Sequence, residues 1–176
     1  MDTDGLIHAG SGLDQVTWMD VRVGDWVATP RHGKPVEINA LWYNALCTMD
    51  MLQAKFGDND DSYRQLASLV KTSFNKRFWN ENTGCLYDVV DEDDDTIRPN
   101  QIYAVSLPFT MLDREREKAI VDTVMDKLYV GCGLRSLDPD HKDYHPIYIG
   151  SLSKRDHAYH QGTAWGFLLG GLSVPM

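Results

Sequence analysis

Apolar residues recur at helical spacing from Val36 to Phe56, and this long pattern constrains the fold more than any other feature of the chain. Pro35 stands where proline favours the first turn of a helix, and Gly57 follows where helices commonly end. The pattern therefore predicts one long helix over residues 36–56. The apolar residues that recur at this spacing are Ile38, Leu41, Trp42, Ala45, Met49 and Leu52.

Two further segments have the same periodic character. The acidic turn at 58–61 suits the start of a second helix over 61–78, and the short connection predicts an antiparallel helical hairpin. Asp113 is a suitable N-cap, and apolar residues four apart predict another helix over 114–129.

The remaining segments give weaker signals. Residues 85–90 favour a short extended segment, and a helical signal begins at Pro99 and ends near Pro108. Residues 134–157 are polar and irregular, and a last helix is predicted from about residue 160 through Leu168. The fold class predicted from the whole chain is mainly α.

Composition excludes several classes of function. The chain has 176 residues, the size of one ordinary domain, and a formal net charge of −9. A negative surface repels nucleic-acid phosphates and anionic lipid, so we expect neither as a partner. We find no basic signal peptide and no apolar run that would span a membrane. The scattered cysteines, Cys47, Cys85 and Cys132, favour a cytoplasmic protein over a disulfide-bonded secreted one.

The clusters that could take part in catalysis or binding combine carboxylates, aromatic rings and amides. No phosphate-binding loop or HExxH motif accompanies them. That mixture suits sugars, whose flat C–H faces pack on aromatic rings while their hydroxyls need donors and acceptors. Cleavage of a glycosidic bond needs one carboxylic acid to protonate the departing oxygen and a second carboxylate to activate water or attack.

The densest cluster lies within residues 17–26, where two tryptophans and two aspartates follow no regular period. In a structural interpretation the tryptophans anchor a loop and the aspartates cap it or pair with Arg22. In a functional interpretation a carboxylate faces a sugar, and desolvation by the neighbouring indoles favours its protonated form. The four residues are Trp18, Asp20, Asp25 and Trp26.

The other clusters also have structural explanations. Glu37 and Asn39 enter the first turn of the long helix, where an acidic side chain favours the helix dipole. Asn100 and Gln101 stand at a helix start, where capping explains the asparagine. The segment 157–165 contains two histidines three residues apart, and a metal site there stays a minor alternative because no third ligand is in register.

The acidic run at 91–95 is interpreted as a solvated loop, with a calcium loop as its alternative. It lacks the glycine and the terminal glutamate of an EF-hand. We therefore expect no metal and no cofactor.

Taken together, the motifs resemble the C-terminal glucosidase domain of glycogen debranching enzymes. The resemblance extends from about Gly5 to Gly170 in the family's order, and its most specific stretch runs from Lys34 to Leu46. The other matching stretches are Thr17–Asp20, Thr29–Arg31, Arg98–Gln101 and His160–Trp165.

The resemblance implies an (α/α)6 toroid, the six-hairpin glycosidase-like fold, and amylo-α-1,6-glucosidase activity with inversion on glycogen or a branched α-glucan. It assigns the general acid to Asp20. The residues that it assigns to lining or supporting the sugar pocket are Trp18, Asp25, Glu37, Asn39, Asn100, Gln101, His160, Gln161 and Trp165.

The chain also departs from the family pattern. The family's catalytic base is a glutamate in a segment after the His160–Trp165 motif, and this chain ends at Met176. We therefore expect residues 1–176 to be a partial domain that lacks N-terminal helices and the base, and to be inactive alone. An open ring would expose apolar helix faces and promote self-association. The alternatives are another toroidal hydrolase, such as a trehalase-like or glucosidase-I-like enzyme, and a non-catalytic glucan-binding module.

Overall fold

A computed structural model of the chain describes residues 1–57 and 60–172, so Asp58 and Asn59 of the acidic turn and residues 173–176 lie outside the description. Helix α1 spans Val36–Phe56 and α2 spans Ser62–Arg77. Gly57 ends α1 in the left-handed conformation, at φ 80°, which a glycine adopts without steric cost. The two helices pack together, and Arg64 of α2 pairs with Asp50 of α1 at 3.1 Å. The predicted hairpin of helices is present.

The later helices are shorter. A 3-10 turn at Pro99–Ile102 leads into α3, Tyr103–Ser106, and the helical signal ends there because Leu107 is extended before Pro108. Helix α4 spans Arg114–Lys127, and the Asp113 carboxylate caps it by accepting from the Arg116 backbone N–H at 2.9 Å. Helix α5 spans Leu152–Ala158, and α6 spans Leu169–Leu172 after a 3-10 turn at Gly166–Leu168. The prediction of a mainly helical chain is confirmed, while the closed ring of helices stays a prediction.

Short antiparallel pairs join the loops within residues 1–57 and 60–172. Each strand is two residues long, so these ladders align loops and do not form a sheet with a core of its own. The pairs are β1 Arg22–Val23 with β2 Trp26–Val27, β3 Lys34–Pro35 with β6 Val89–Val90, β4 Trp79–Asn80 with β5 Cys85–Leu86, and β7 Leu134–Arg135 with β8 Ala164–Trp165.

Two expectations for the C-terminal third are wrong. The helix predicted over 160–168 is absent as far as Trp165, because Ala164 and Trp165 pair with β7 and use their backbone groups in a ladder, and only Gly166–Leu168 is helical, as a 3-10 turn. Residues 134–157, expected to be irregular, contain most of α5. Gly162 adopts φ 144°, and a Cβ there would lie 2.4 Å from the carbonyl oxygen of His145, so this turn requires glycine.

The apolar core lies between α1, α2 and α4. Its centre includes side chains with no exposed surface, and full burial of each large one contributes about 1.5–3 kcal/mol. These include Val70, Phe74, Phe78, Ile120, Val124 and Leu128. Helix α1 buries Val36, Ala40 and Leu46 and leaves Leu41 and Met49 exposed on another face. This core holds the start of α1 and the 3-10 turn beside the loops that carry the predicted site residues.

Candidate functional site

The segment that leads from β2 to β3 brings a charged side chain into the interior. Arg31 has φ 42°, a left-handed conformation that costs a residue with a Cβ about 1–3 kcal/mol. Two residues later Gly33 has φ 106°, and a Cβ there would lie 2.7 Å from the Val90 carbonyl oxygen. The close β3–β6 pairing therefore requires glycine at position 33, and the sharp turn directs the Arg31 side chain inward.

The Arg31 guanidinium lies between two carboxylates. It donates to both carboxylate oxygens of Glu37, through Nη1 and through Nη2 at 2.7 Å, and to Asp88 from Nε at 2.6 Å. All three side chains are at least 97% buried. Burial alone would lower the pKa of the Arg31 guanidinium, but the charges of Asp88 and Glu37 outweigh it and raise that pKa. Arg31 therefore stays charged inside the protein.

A second buried cation completes the charge balance. Arg98 Nε lies 3.8 Å from an Asp88 carboxylate oxygen, and burial lowers the pKa of the Arg98 guanidinium. Its Nη1 donates to the carbonyl oxygens of Ser136 at 3.0 Å and His160 at 2.8 Å, and its Nη2 donates to Gln161 at 2.9 Å. Two guanidinium groups thus face two carboxylates, and Gln161 is held by this pairing.

A chain of hydrogen bonds extends the network to an indole ring. Asn100 donates from Nδ2 to Asp88 at 2.8 Å, and its Oδ1 accepts from Trp18 Nε1 at 2.8 Å. Glu37, Asn100 and Trp18, three residues predicted for the site, are therefore joined through Arg31 and Asp88. Their positions in the chain differ by as many as 82 residues.

Trp18 also enters a cluster of aromatic rings. Its ring meets His160 edge-on at 5.1 Å and Trp165 at 5.6 Å between centroids, while His160 stacks on Trp165 at 5.4 Å. Burial, aided by the charges of Arg98 and Arg31, lowers the pKa of His160 to about 4. This imidazole is therefore neutral at pH 7, and its two nitrogens have no hydrogen-bond partner among the described residues.

Asn39 and Gln101 hold the backbone in place. Asn39 accepts from the Ile7 N–H at 2.7 Å and donates to the Pro35 carbonyl oxygen at 2.9 Å, so it ties the N-terminal segment to α1. Gln101 accepts from the Leu86 N–H at 3.3 Å. Both side chains are buried.

Asp20 lies outside this buried network. Met19 is buried, while Asp20 is exposed and lines an open hollow of about 530 Å³. No hydrogen bond or ion pair of its carboxylate occurs among residues 1–57 and 60–172. The hollow is lined by Gln15, Asp20, Val21, Arg22, Gly24, Tyr148, Asp156 and Tyr159.

The expected enclosure of Asp20 by indole rings is not what the structure has. Trp26 stacks on His157 at 4.1 Å between centroids, and Trp18 belongs to the aromatic cluster. The rings that line the hollow with Asp20 are instead those of Tyr148 and Tyr159. Asp25 is exposed where β1 turns into β2 and does not line the hollow.

Several residues of the buried network around Arg31 and of the hollow beside Asp20 were not predicted as site residues. Arg31 and Arg98 lie within the family motifs, but charged residues are usually exposed, and the pattern at 85–90 predicts only an extended segment around Asp88. A usable signal existed for Arg31, since this cation follows Pro30 directly, precedes Gly33 by two residues and lies six residues before Glu37. Nothing local marks Tyr148, Asp156 or Tyr159, because the fold brings them to residue 20 from more than 120 residues away.

The metal alternatives gain no support. Within the described ranges there is no group of three or more histidine, cysteine or acidic side chains arranged to hold a metal. Asp91 of the acidic run pairs with Lys34 at 3.3 Å and with Arg77. In the same part of the chain, no helix combines the length and the apolar character needed to cross a membrane.

Comparison with known proteins agrees with the motifs. A family model described as amylo-alpha-1,6-glucosidase matches residues 1–173. A glycogen debranching enzyme of Saccharomyces cerevisiae is 28% identical over 214 aligned residues, which include 94% of this chain. The chain spans 14% of the length of that relative. Because this family model matches almost the whole length of the chain, the chain belongs to the amylo-alpha-1,6-glucosidase family.

Proposed function

We propose that this chain contributes to a glycoside hydrolase that releases α-1,6-linked glucose from the branch points of glycogen, with inversion at the anomeric carbon. Family membership supports the glycosidase class, and the debranching relative supports the branched α-glucan as substrate. The observation that carries the proposal is the Asp20 carboxylate, which is accessible, has no partner among the described residues and lies at a hollow large enough for sugar units.

Asp20 is the proposed general acid. Its carboxyl group would protonate the glycosidic oxygen as the bond to the anomeric carbon breaks, and the departing glucan would leave as an alcohol. In an inverting enzyme a second carboxylate removes a proton from a water molecule on the opposite face, about 6.5–9.5 Å from the acid. Water then forms the new bond to the anomeric carbon, so atoms and protons balance.

The buried network supports this role by holding the loop that carries Asp20. Trp18 precedes Asp20 by two residues and is fixed by Asn100, while Met19 accepts at its carbonyl oxygen from the buried Thr29 hydroxyl. We assign Trp18, His160 and Trp165 to the wall behind the sugar. We assign the other predicted site residues that the structure buries or pairs (Glu37, Asn39, Asn100, Gln101 and Gln161) to its scaffold.

The decisive experiment is an Asp20→Asn substitution in the full-length protein. With a branched dextrin that carries single α-1,6-linked glucose stubs, we expect the turnover of glucose release to fall about 10²–10⁴-fold while binding of the dextrin is retained. Proton NMR of the wild-type product should detect β-glucose first. Turnover of the variant within a few-fold of the wild type would reject Asp20 as the acid.

Assays of the full-length protein on other substrates distinguish the alternative functions. Hydrolysis of trehalose or of a terminal glucosylated oligosaccharide, with none of the branched dextrin, would favour another toroidal hydrolase. Retention on a glycogen affinity gel without glucose release from any substrate would favour a non-catalytic binding module. A panel of these substrates, tested beside the affinity gel, therefore decides among the three.

The location and the self-association of this chain are further parts of the proposal. We place the protein in the reducing cytoplasm, where its three free cysteines would stay reduced. Apolar side chains exposed on the α1–α2 hairpin supply a surface for self-association or for further helices of the ring, and they include Leu41, Met49, Met51, Phe56 and Leu69. Analytical ultracentrifugation of this chain tests the point, since a strictly monomeric chain at high concentration would contradict it.

A further inference from the structure

The hollow beside Asp20 contains a second carboxylate that neither the motifs nor the family match assigns. Asp156 lies in α5, is partly buried, and lines the hollow together with Asp20. Its carboxylate has no hydrogen bond or ion pair with any other described side chain. Arg22, the one cation among the lining residues, donates from Nε to the carbonyl oxygen of Gly24 at 2.8 Å. Both carboxylates are therefore available to a ligand.

Asp156 is poorly placed for the stability of its own helix. Helix α5 runs from Leu152 to Ala158, so Asp156 lies two residues before its end. The C-terminus of a helix carries partial negative charge, and an acidic side chain there is unfavourable. The position is therefore better explained by what the carboxylate faces than by what it does for the helix.

Two tyrosines complete the chemistry of this part of the hollow. The rings of Tyr148 and Tyr159 lie 5.7 Å apart between centroids, and Tyr148 is 47% exposed. Tyr159 also packs edge-on against Trp165 at 4.9 Å, which holds its ring in place. An aromatic face next to a free carboxylate suits a neutral sugar, whose C–H face packs on the ring while its hydroxyls donate to the acid.

We infer that Asp156, with Tyr148 and Tyr159, forms a subsite for one neutral glucosyl unit of the glucan next to Asp20, in which the Asp156 carboxylate accepts hydrogen bonds from sugar hydroxyls. This inference rests on the proposed function for its ligand. The two carboxylates outnumber the one arginine among the described residues that line the hollow, which disfavours an anionic ligand. Asp156 is a substrate-binding residue in this assignment and transfers no proton.

Binding and turnover together test the subsite in the full-length protein. In an Asp20→Asn background, where hydrolysis is suppressed, we expect an added Asp156→Asn substitution to weaken binding of a branched oligosaccharide about tenfold by calorimetry. With Asp20 intact, Asp156→Asn should raise KM about tenfold and change kcat only a few-fold. Tyr148→Ala, on a different segment and already half exposed, should weaken binding in the same direction.

Asp126→Asn is the matched control, because Asp126 is also an aspartate near the C-terminal end of a helix but lies on α4 and is exposed. It should leave binding unchanged. The melting temperature of Asp156→Asn should equal or exceed that of the wild type, since a charge unfavourable to α5 is removed.

The outcomes separate this inference from the proposed function. Unchanged oligosaccharide affinity in the Asp156→Asn variant overturns the subsite, even if Asp20 proves to be the acid. Weaker binding together with a clearly lower melting temperature also overturns it, because the residue would then be structural. Tenfold weaker binding with an intact fold supports the subsite even if the protein hydrolyses a different glucan.

Discussion

Two neighbouring charged regions of this chain give their carboxylates opposite environments. Around Arg31 the carboxylates of Glu37 and Asp88 are buried and matched by guanidinium groups. In the hollow the carboxylates of Asp20 and Asp156 are accessible and have no partner among the described residues. A matched, buried charge has no capacity left for a substrate, whereas an unpaired one has. We therefore expect the first region to determine stability and the second to determine turnover.

Removing the central cation gives the largest expected effect. Arg31→Met leaves the buried Glu37 carboxylate without a cation among the described residues and leaves Asp88 only Arg98, whose Nε lies 3.8 Å away, so we expect the free energy of unfolding to fall by about 3–5 kcal/mol. Urea denaturation followed by tryptophan fluorescence measures it. Arg64→Met is the matched control, since the Arg64 side chain is 59% exposed and its surface ion pairs contribute at most about 1 kcal/mol. An Arg31→Met variant as stable as the control would contradict the structural role.

We expect acid to destabilise the protein through His160, which lies beside the buried network. Its pKa falls from 6.5 to about 4 on folding, so the unfolded state binds more protons within that window. Stability from the neutral imidazole is complete above pH 6.5, and we expect it to decline by roughly 3 kcal/mol as the pH falls from 7 to 4.

Asp4 and Asp91 also have lowered pKa values, because Lys34 and Arg77 outweigh their partial burial, and they add to acid unfolding. His160→Phe isolates the histidine, since the ring nitrogens have no partner to lose among the described residues. The variant should lose the part of the pH dependence that the wild type shows between pH 6.5 and 4. Parallel stability curves for the two proteins would show that His160 does not contribute.

The hydrogen bond between Trp18 and Asn100 links the buried network to the loop that carries Asp20. We expect its removal to have an intermediate effect on stability. Trp18→Phe removes the indole N–H that Asn100 accepts, and we expect a loss of about 1–2 kcal/mol of stability from the unsatisfied amide. Trp26→Phe is the comparison, because Trp26 is 38% exposed and its stacking on His157 survives in a phenylalanine. Equal melting temperatures for the two variants would indicate that the Trp18–Asn100 bond adds no stability.

The smallest effect on stability is expected in the hollow. Asp20→Asn breaks no pairing with a described residue, so we expect its free energy of unfolding to stay within about 0.5 kcal/mol of the wild type. The same substitution should cause the largest loss of turnover. A variant that is both inactive and strongly destabilised would place Asp20 with the buried network and remove the contrast between the regions.

Local patterns predicted the long elements well. Helix α1 has the bounds that its periodicity, Pro35 and Gly57 indicate, and α4 begins at the residue after its predicted cap. These signals act within a few residues of each other, so they are readable in the chain itself. The choice of buried face was not readable, because Leu41 and Met49 are apolar yet exposed, and Glu37 and Asn39 are polar yet buried.

The C-terminal third shows the opposite case. His160 to Trp165 had been predicted as helix, and β8 forms there because β7, about 30 residues earlier, supplies its partner. The family match over residues 1–173 agrees with the motifs as family motifs, but the sequence did not predict which of their residues touch one another. Asn100 meets Trp18 and Arg31 meets Asp88 only after the intervening helices have packed.

The sequence alone therefore determined the family motifs, the helical class and the limits of the longest helices, since these depend on residue types at short separations. Only the tertiary structure decided that Glu37 is neutralised by Arg31 and that Asp156 shares a hollow with Asp20. Whether a carboxylate is matched or free depends on the charges that folding brings within a few ångströms, from positions distant in the chain. In this protein the matched carboxylates belong to the structural scaffold, and the free carboxylates are the candidates for binding and catalysis.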